Sequence, residues 1–267
     1  MMNFSKITAL TLDLFRQHRT IATTAVAILA TGTSISLLSR IVSDYRAWYA
    51  LGPNGLPLNI FGYLFQSAAR TIARLDTREP APYDQSQLLQ SKRYGPLSLR
   101  SFLVAPLKLR EGPRPEVPAF VGPHRQTSQK ATSDTRAKQE EFLYALAAAN
   151  PSVIQVKPSN LEGQLFQSVW LQDGVEVREE MRFSNGEFAH PHGEGSTHLI
   201  LSLVDAAAAI ESGWAERHRM SGVRNFMPWG FVMIYALRDE EEFRTWEEFM
   251  IASARYASGG ETRIVIP

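Results

Sequence analysis

A chain of 267 residues with 44% hydrophobic content is long enough to bury one sizeable core. A formal net charge of +1, with no long basic run, excludes a nucleic-acid footprint, so no nucleic-acid partner is expected. The absence of cysteine excludes disulfides.

In chain order, 1–19 reads as an N-terminal tail and 20–39 as a transmembrane anchor. The anchor is twenty residues without a charge, flanked by Arg19 and Arg40. At about 1.5 Å per residue it can just span a hydrocarbon core. Its many Thr and Ser residues leave an interfacial helix or a signal peptide as competing readings, although the flank Leu37-Leu38-Ser39-Arg40 lacks a small-x-small cleavage site. Lys6, Arg16 and Arg19 favour a cytoplasmic N-terminus. The expectation is a single-pass membrane protein, placed at the endoplasmic reticulum.

Residues 40–96 read as an amphipathic helix and a proline-rich connection. Ile60, Tyr63, Leu64, Ala68, Ile72 and Leu75 fall near one face of a helix over 59–76. Eight of the fifteen prolines lie between positions 78 and 136, which predicts a loop-rich stretch interrupted by a short strand at 97–104.

Residues 97–267 read as the catalytic domain. A helix over 136–149 stops before Asn150-Pro151, because a residue preceding proline avoids the helical region. Strands are predicted at 153–156, 164–171 and 175–183, with Asp173-Gly174 as a hairpin signal. The mostly apolar run 198–204 fits a buried strand. Asp205 is the expected N-cap of a helix over 206–212, Gly213 its C-cap, and a returning loop carries Trp214, Glu216, Arg217 and His218. A strand at 229–237, a helix to 256 capped by Asp239, and a last strand at 262–266 complete the pattern. The fold class is α+β: a single domain with a mostly antiparallel sheet and flanking helices, preceded by the N-terminal transmembrane helix.

Four of the six histidines, His190, His192, His198 and His218, fall within 29 residues. Imidazole titrates nearest neutrality, so such a cluster beside Glu216 and Arg217 can move protons. In an extended His190-Pro191-His192 segment both rings share a face. Two other readings compete. Any one histidine can be structural, with Gly193 to Ser196 an ordinary turn. A metal site drawing on His190, His192 and Glu194 or His198 is the second, although neither HExxH nor a cysteine spacing is present.

The ordered set His190-Pro191-His192, Gly195-Ser196-Thr197-His198-Leu199, Asp205-Ala206, Gly213-Trp214-Ala215-Glu216-Arg217-His218, Ser221-Gly222 and Ile234-Tyr235-Ala236-Leu237-Arg238-Asp239 resembles the fungal luciferase family and its wider set of homologues. Upstream, Asp44-Tyr45-Arg46, Leu51-Gly52-Pro53, Asn59-Ile60-Phe61-Gly62-Tyr63, Arg110-Glu111-Gly112-Pro113-Arg114-Pro115 and Arg125-Gln126-Thr127 extend the similarity, with gaps, from about Asp44 to Gly259. The chain departs at Leu237, where the family's Tyr-Ala-Pro-Arg motif has proline. Ala215 and Glu216 stand in a segment that varies between luminous and non-luminous relatives.

The resemblance implies an oxygenase that needs no cofactor and no metal, with dioxygen as co-substrate and a 3-hydroxy-2-pyrone of the 3-hydroxyhispidin type as substrate. A base removes the enol proton, the enolate reacts with dioxygen, and a cyclic peroxide loses carbon dioxide, with light in the luminous members. His190, His192, His198 and His218 are then candidate acids or bases, with His192 or His218 first among them. Glu216 is a candidate orienting carboxylate, and Arg217 and Arg238 are candidates to hold anionic charge. Trp214, Trp229 and Tyr235 are candidates to stack on a planar ligand, and Arg114 is a second anchor. The alternatives are a biosynthetic acid/base enzyme (cyclase, decarboxylase or hydrolase) on a polyketide-like substrate, or a non-catalytic binder of planar phenolics.

Overall fold

The computed structural model describes residues 4–90, 93–260 and 263–267. Two compact units divide the chain, Met1–Ala50 and Leu51–Pro267. The second therefore takes in most of the connection that the sequence sets apart from the catalytic domain.

The first unit is α1, Phe4–Tyr49, a helix long and apolar enough to cross a membrane. Its threonines are compatible with an apolar surround, because Thr20 and Thr23 donate their hydroxyls to the carbonyls of Arg16 and Arg19 one turn back. Val26, Ile28 and Leu29 point outward.

The second unit is built on one antiparallel sheet of six strands: β1 (Ile154–Pro158), β2 (Gln167–Leu171), β3 (Glu187–Pro191), β4 (Thr197–Ile200), β5 (Ala215–Arg217) and β6 (Phe231–Ile234), in the order β1-β2-β3-β4-β6-β5. Around it lie α2 (Ile60–Arg70), α3 (Gln85–Gln90), α4 (Ser133–Ala149), α5 (Leu203–Glu211) and α6 (Glu240–Ala257). Side chains alternate across a sheet, so each cross-strand row serves one face. The row Ala189, Leu199, Val232 joins a core shared with Leu146 of α4, Ala206 and Ile210 of α5, and Trp246 and Phe249 of α6. The adjacent row, His190, His198, Met233 and Glu216, serves the other face.

Four predicted elements are corrected. The strand at 97–104 is instead a 3-10 turn, Pro96–Leu99, followed by irregular chain. The Phe102 N–H and the Ser101 hydroxyl, which a ladder would need or tolerate free, both donate to the Asp205 carboxylate. Asp205 is accordingly not the cap of α5; Ser202 is, accepting from the Asp205 N–H. The turn at Asp173-Gly174 forms, but 175–183 does not return as a strand. It runs into a 3-10 segment, Glu179–Ser184, tied down by Tyr256 donating to the buried Glu180, and β2 pairs with β3 instead. The loop after Gly213 is the strand β5, which leaves its charged residues fixed on a ladder.

At the end of the chain, position 262 lies outside the described residues and 263–267 carry no regular structure. That tail is clamped at two points by Asn150, which accepts from the Val265 N–H and donates to the Val265 carbonyl. In α2 only Tyr63 of the predicted apolar face is buried. Gly62, Tyr63 and Gln66 turn inward, whereas Ile60, Phe61, Leu64 and Phe65 stay exposed. Asn59 caps this helix rather than opening it, and Asp239 caps α6 as its sequence position indicates.

Candidate functional site

The hairpin between β3 and β4 sets the centre of the site. His190 and His198 are direct cross-strand partners, and His192 follows Pro191 into a tight turn closed by its N–H to the Ser196 carbonyl at 2.7 Å. Gly195 adopts φ +98° there, and a Cβ on it would lie 2.3 Å from that of Ala131. Glycine is thus needed both for the backbone conformation and for the close approach. All three histidines are buried, as is His218 just beyond β5.

A fifth histidine, His124, completes the cluster. It comes from the proline-rich stretch, and its ring stacks on His198 with centroids 5.3 Å apart and planes 11° from parallel. His124 Nδ1 lies 3.1 Å from His198 Nε2, and its Nε2 lies 3.3 Å from Glu216 Oε1. Glu216 also accepts from Arg78 Nε at 3.0 Å and Tyr235 Oη at 3.1 Å. Burial works against its charge, but the hydrogen bonds from His124 and Arg78 outweigh it and hold the carboxyl at about 2. Burial, reinforced by the surrounding imidazoles, holds His198 well below the ordinary histidine value. The ring is therefore neutral.

Carboxylates stand behind the other two rings. Glu187 Oε1 is 2.7 Å from His190 Nδ1 and also takes the Ser159 hydroxyl, while its Oε2 takes the Asn160 N–H. His192 Nδ1 lies 2.8 Å from Ser196 Oγ, which in turn donates to Glu194. Glu162 presents Oε2 3.8 Å from His192 Nε2, its Oε1 being held by Arg125 Nε and Nη2.

His218 is nearby but committed elsewhere. Its Nδ1 accepts from the Met220 N–H at 3.1 Å and its Nε2 donates to the Val121 carbonyl at 3.1 Å, so neither nitrogen is available to a ligand. It lines the pocket all the same, with its ring held in place by these two backbone partners.

Above the cluster opens a pocket of about 990 Å³, lined by apolar groups such as Leu56, Phe65, Ile72, Phe183, Met227 and Phe231 together with His124, His190, His198, His218 and Glu162. Mostly apolar walls with a few convergent polar groups are the ordinary form of a small-molecule site.

Several residues expected at the site are built into the scaffold instead. Arg217 is fully buried and donates to the carbonyls of Trp229, Glu79 and Pro80, and burial lowers its pKa to about 10. Trp214 is a core residue against Phe249, its indole N–H on the Lys108 carbonyl. Trp229 packs on Tyr83 beneath the Arg74 guanidinium. Arg114 donates to the carbonyls of Ala215 and Ile210. Arg238 pairs with Glu242. Tyr235 reaches the site only through Glu216. A lone sequence position cannot show that a cation's partners are backbone carbonyls on the far side of the sheet. His124, Glu162 and Glu187 were missed because they lie outside the histidine-rich run, although Arg125-Gln126-Thr127, next to His124, belongs to the stretches that carried the resemblance.

The comparisons with known proteins point to luciferases. A family model described as Luciferase domain matches residues 185–253, which span the β3–β4 hairpin through most of α6. A luciferase of Neonothopanus nambi is 27% identical over 252 residues, covering 89% of this chain and 88% of its own. A luciferase of Armillaria mellea is 28% identical over 256 residues, covering 90% and 89%, and one of Armillaria gallica is 28% identical over 258, covering 91% and 90%. No solved structure matches. The similarity to these fungal luciferases runs along nine-tenths of the sequence, and the luciferase-domain match takes in the segment that carries His190, His192, His198 and His218.

Proposed function

We propose that this protein is an oxygenase that adds dioxygen to a planar enolic small molecule of the 3-hydroxy-2-pyrone class, such as 3-hydroxyhispidin, with loss of carbon dioxide. The observation that carries the reading is the junction of a large apolar pocket with buried imidazoles backed by carboxylates. A conjugated ligand of this class fits apolar walls, and its acidic enol needs a polar floor. His190 offers that floor, oriented by Glu187, with His198 beside it held by His192 and by His124 and Glu216. Loss of the enol proton produces an electron-rich enolate able to react with dioxygen, and mostly apolar walls limit the water that reaches the peroxide that follows. The fungal luciferases to which the chain is similar support an oxidative, light-yielding outcome. We also propose that α1 anchors the chain in a membrane, with the polar N-terminal end on the cytoplasmic side.

The test is to incubate the detergent-solubilised full chain with 3-hydroxyhispidin and follow light, dioxygen and product mass together. Stoichiometric dioxygen uptake with loss of one carbon dioxide is expected. His190→Ala should lower turnover by about 100-fold or more. Turnover of the pyrone without dioxygen uptake would replace this reading with hydrolysis or cyclisation at the same floor.

A further inference from the structure

We propose that His190, His192 and His198, with the Glu162 carboxylate, bind a divalent first-row transition metal ion at the floor of the pocket. The argument is a count of protons. The Glu187 carboxylate can only accept, so the proton of His190 is on Nδ1 and its Nε2 carries a lone pair. The Ser196 hydroxyl donates to Glu194, so at His192 it must accept, which places that ring's proton on Nδ1 and a lone pair on Nε2. The ionised Glu216 accepts from His124 Nε2, so His124 Nδ1 accepts from His198 Nε2, and the lone pair of His198 is on Nδ1.

His192 Nε2 and His198 Nδ1 thus face each other at 3.1 Å with no proton between them, and Glu162 Oε2, a third acceptor, lies 3.8 Å from His192 Nε2. One ring nitrogen from each of His190, His192 and His198 falls within 4.8 Å of the other two. Buried acceptors pressed together in this way repel one another unless a cation lies among them. The 3.1 Å between His192 Nε2 and His198 Nδ1 suits ligands on adjacent positions of one ion about 2 Å from each nitrogen.

The carboxylate behind each ring is the arrangement that fixes tautomer and orientation in metal-bound histidines. Glu187 serves His190, Glu194 serves His192 through Ser196, and Glu216 serves His198 through His124. Three imidazoles and one carboxylate without thiolate suit iron, manganese, cobalt, nickel or zinc rather than a soft ion. The second group of clustered histidines, His124, His198 and His218, does not share this property. Its His218 nitrogens are both engaged by the backbone.

His190, His198 and Glu162 line the pocket whereas His192 lies behind them, so open coordination positions would face the cavity. The ligand class such a site takes is a small anion that presents two adjacent oxygen donors, as a deprotonated 3-hydroxy-2-pyrone does. Metal binding itself does not depend on the oxygenase reading. The site can hold an ion while dioxygen uptake fails, or the reverse.

The experiment uses the detergent-solubilised full chain made without a polyhistidine tag. Its metal content is measured by elemental analysis, and Co(II) is titrated into chelator-stripped protein, followed by its visible d–d bands. One ion per chain is expected, with nitrogen-rich cobalt bands. His190→Ala and His192→Ala should weaken Co(II) binding by more than 100-fold, and Glu187→Gln by about 10- to 100-fold. Binding should be unchanged in His18→Ala. If the alanine variants fail to fold, Glu162→Gln keeps the test, since it preserves shape and hydrogen bonding to Arg125 and should still weaken binding and shift the cobalt bands. A folded full chain that takes up no Co(II), Mn(II) or Zn(II) at millimolar concentration overturns the proposal. So does binding that Glu162→Gln and His190→Ala leave unchanged.

Discussion

A guanidinium and an imidazole illustrate how one residue type divides between scaffold and chemistry. Arg217 stands between Glu216 and His218, but its side chain leaves on the opposite face of the sheet and satisfies three backbone carbonyls. Its removal would strand those acceptors in a buried place where each has lost its water. Arg217→Met is expected to lower the unfolding free energy by on the order of 3 kcal/mol, measured by urea titration, while the folded fraction keeps its ligand affinity. A variant of unchanged stability with abolished turnover would return Arg217 to the reaction. His218 is held in the same way by the Met220 N–H and the Val121 carbonyl, whereas His190 has one nitrogen on Glu187 and the other left to the pocket. The difference lies in partners, and partners are set by the fold.

Among the elements, α6 and the segment between α3 and α4 are joined by a buried ion pair. Arg110 donates through Nε and Nη2 to the two oxygens of Glu242 at 2.9 Å each, and Arg238 binds the same carboxylate from one turn away. Burial raises the cost of charging Glu242, but the hydrogen bonds from Arg110 and Arg238 more than compensate, so its pKa is lowered in the folded state. A depressed carboxylate pKa contributes stability that is complete above its unfolded value, about 4.5, and is lost as pH falls through the folded value. Thermal unfolding followed from pH 7 to pH 3 should therefore show a stability loss below about pH 4.5 that is smaller in Glu242→Gln. Equal acid sensitivity in both proteins would show that other carboxylates dominate. The β3–β4 hairpin is the other decisive element, since the Gly195 turn sets the register that opposes His190 to His198.

For the whole molecule, a helix with an uncharged centre precedes a unit with its own core. The full chain should sediment with membranes and resist alkaline carbonate extraction, because an uncharged twenty-residue stretch is stable in hydrocarbon. Deletion of residues 1–40 should release it from carbonate-resistant pellets. Intact full-length chain in the soluble fraction of a cell extract would refute the anchor.

The sequence by itself determined the α+β class, the apolar N-terminal helix, the cap at Asp239, and the similarity to fungal luciferases, because each rests on local chemistry or on an ordered run of residues. It placed the candidate site at the His190 to His198 hairpin for the same reason. Only the tertiary structure decided which polar residues reach that centre. His124, Glu162 and Glu187 arrive from three separate segments, and Arg114, Arg217, Arg238, Trp214 and Trp229 turn away to satisfy carbonyls, a carboxylate or the core. The strands expected at 97–104 and 175–183 failed for a related reason. At 97–104 the distant Asp205 carboxylate takes the Ser101 hydroxyl and the Phe102 N–H, and at 175–183 Tyr256 holds the Glu180 side chain of a 3-10 segment. A buried hydrogen-bonding group must find a partner wherever the chain supplies one, and that choice is made in three dimensions.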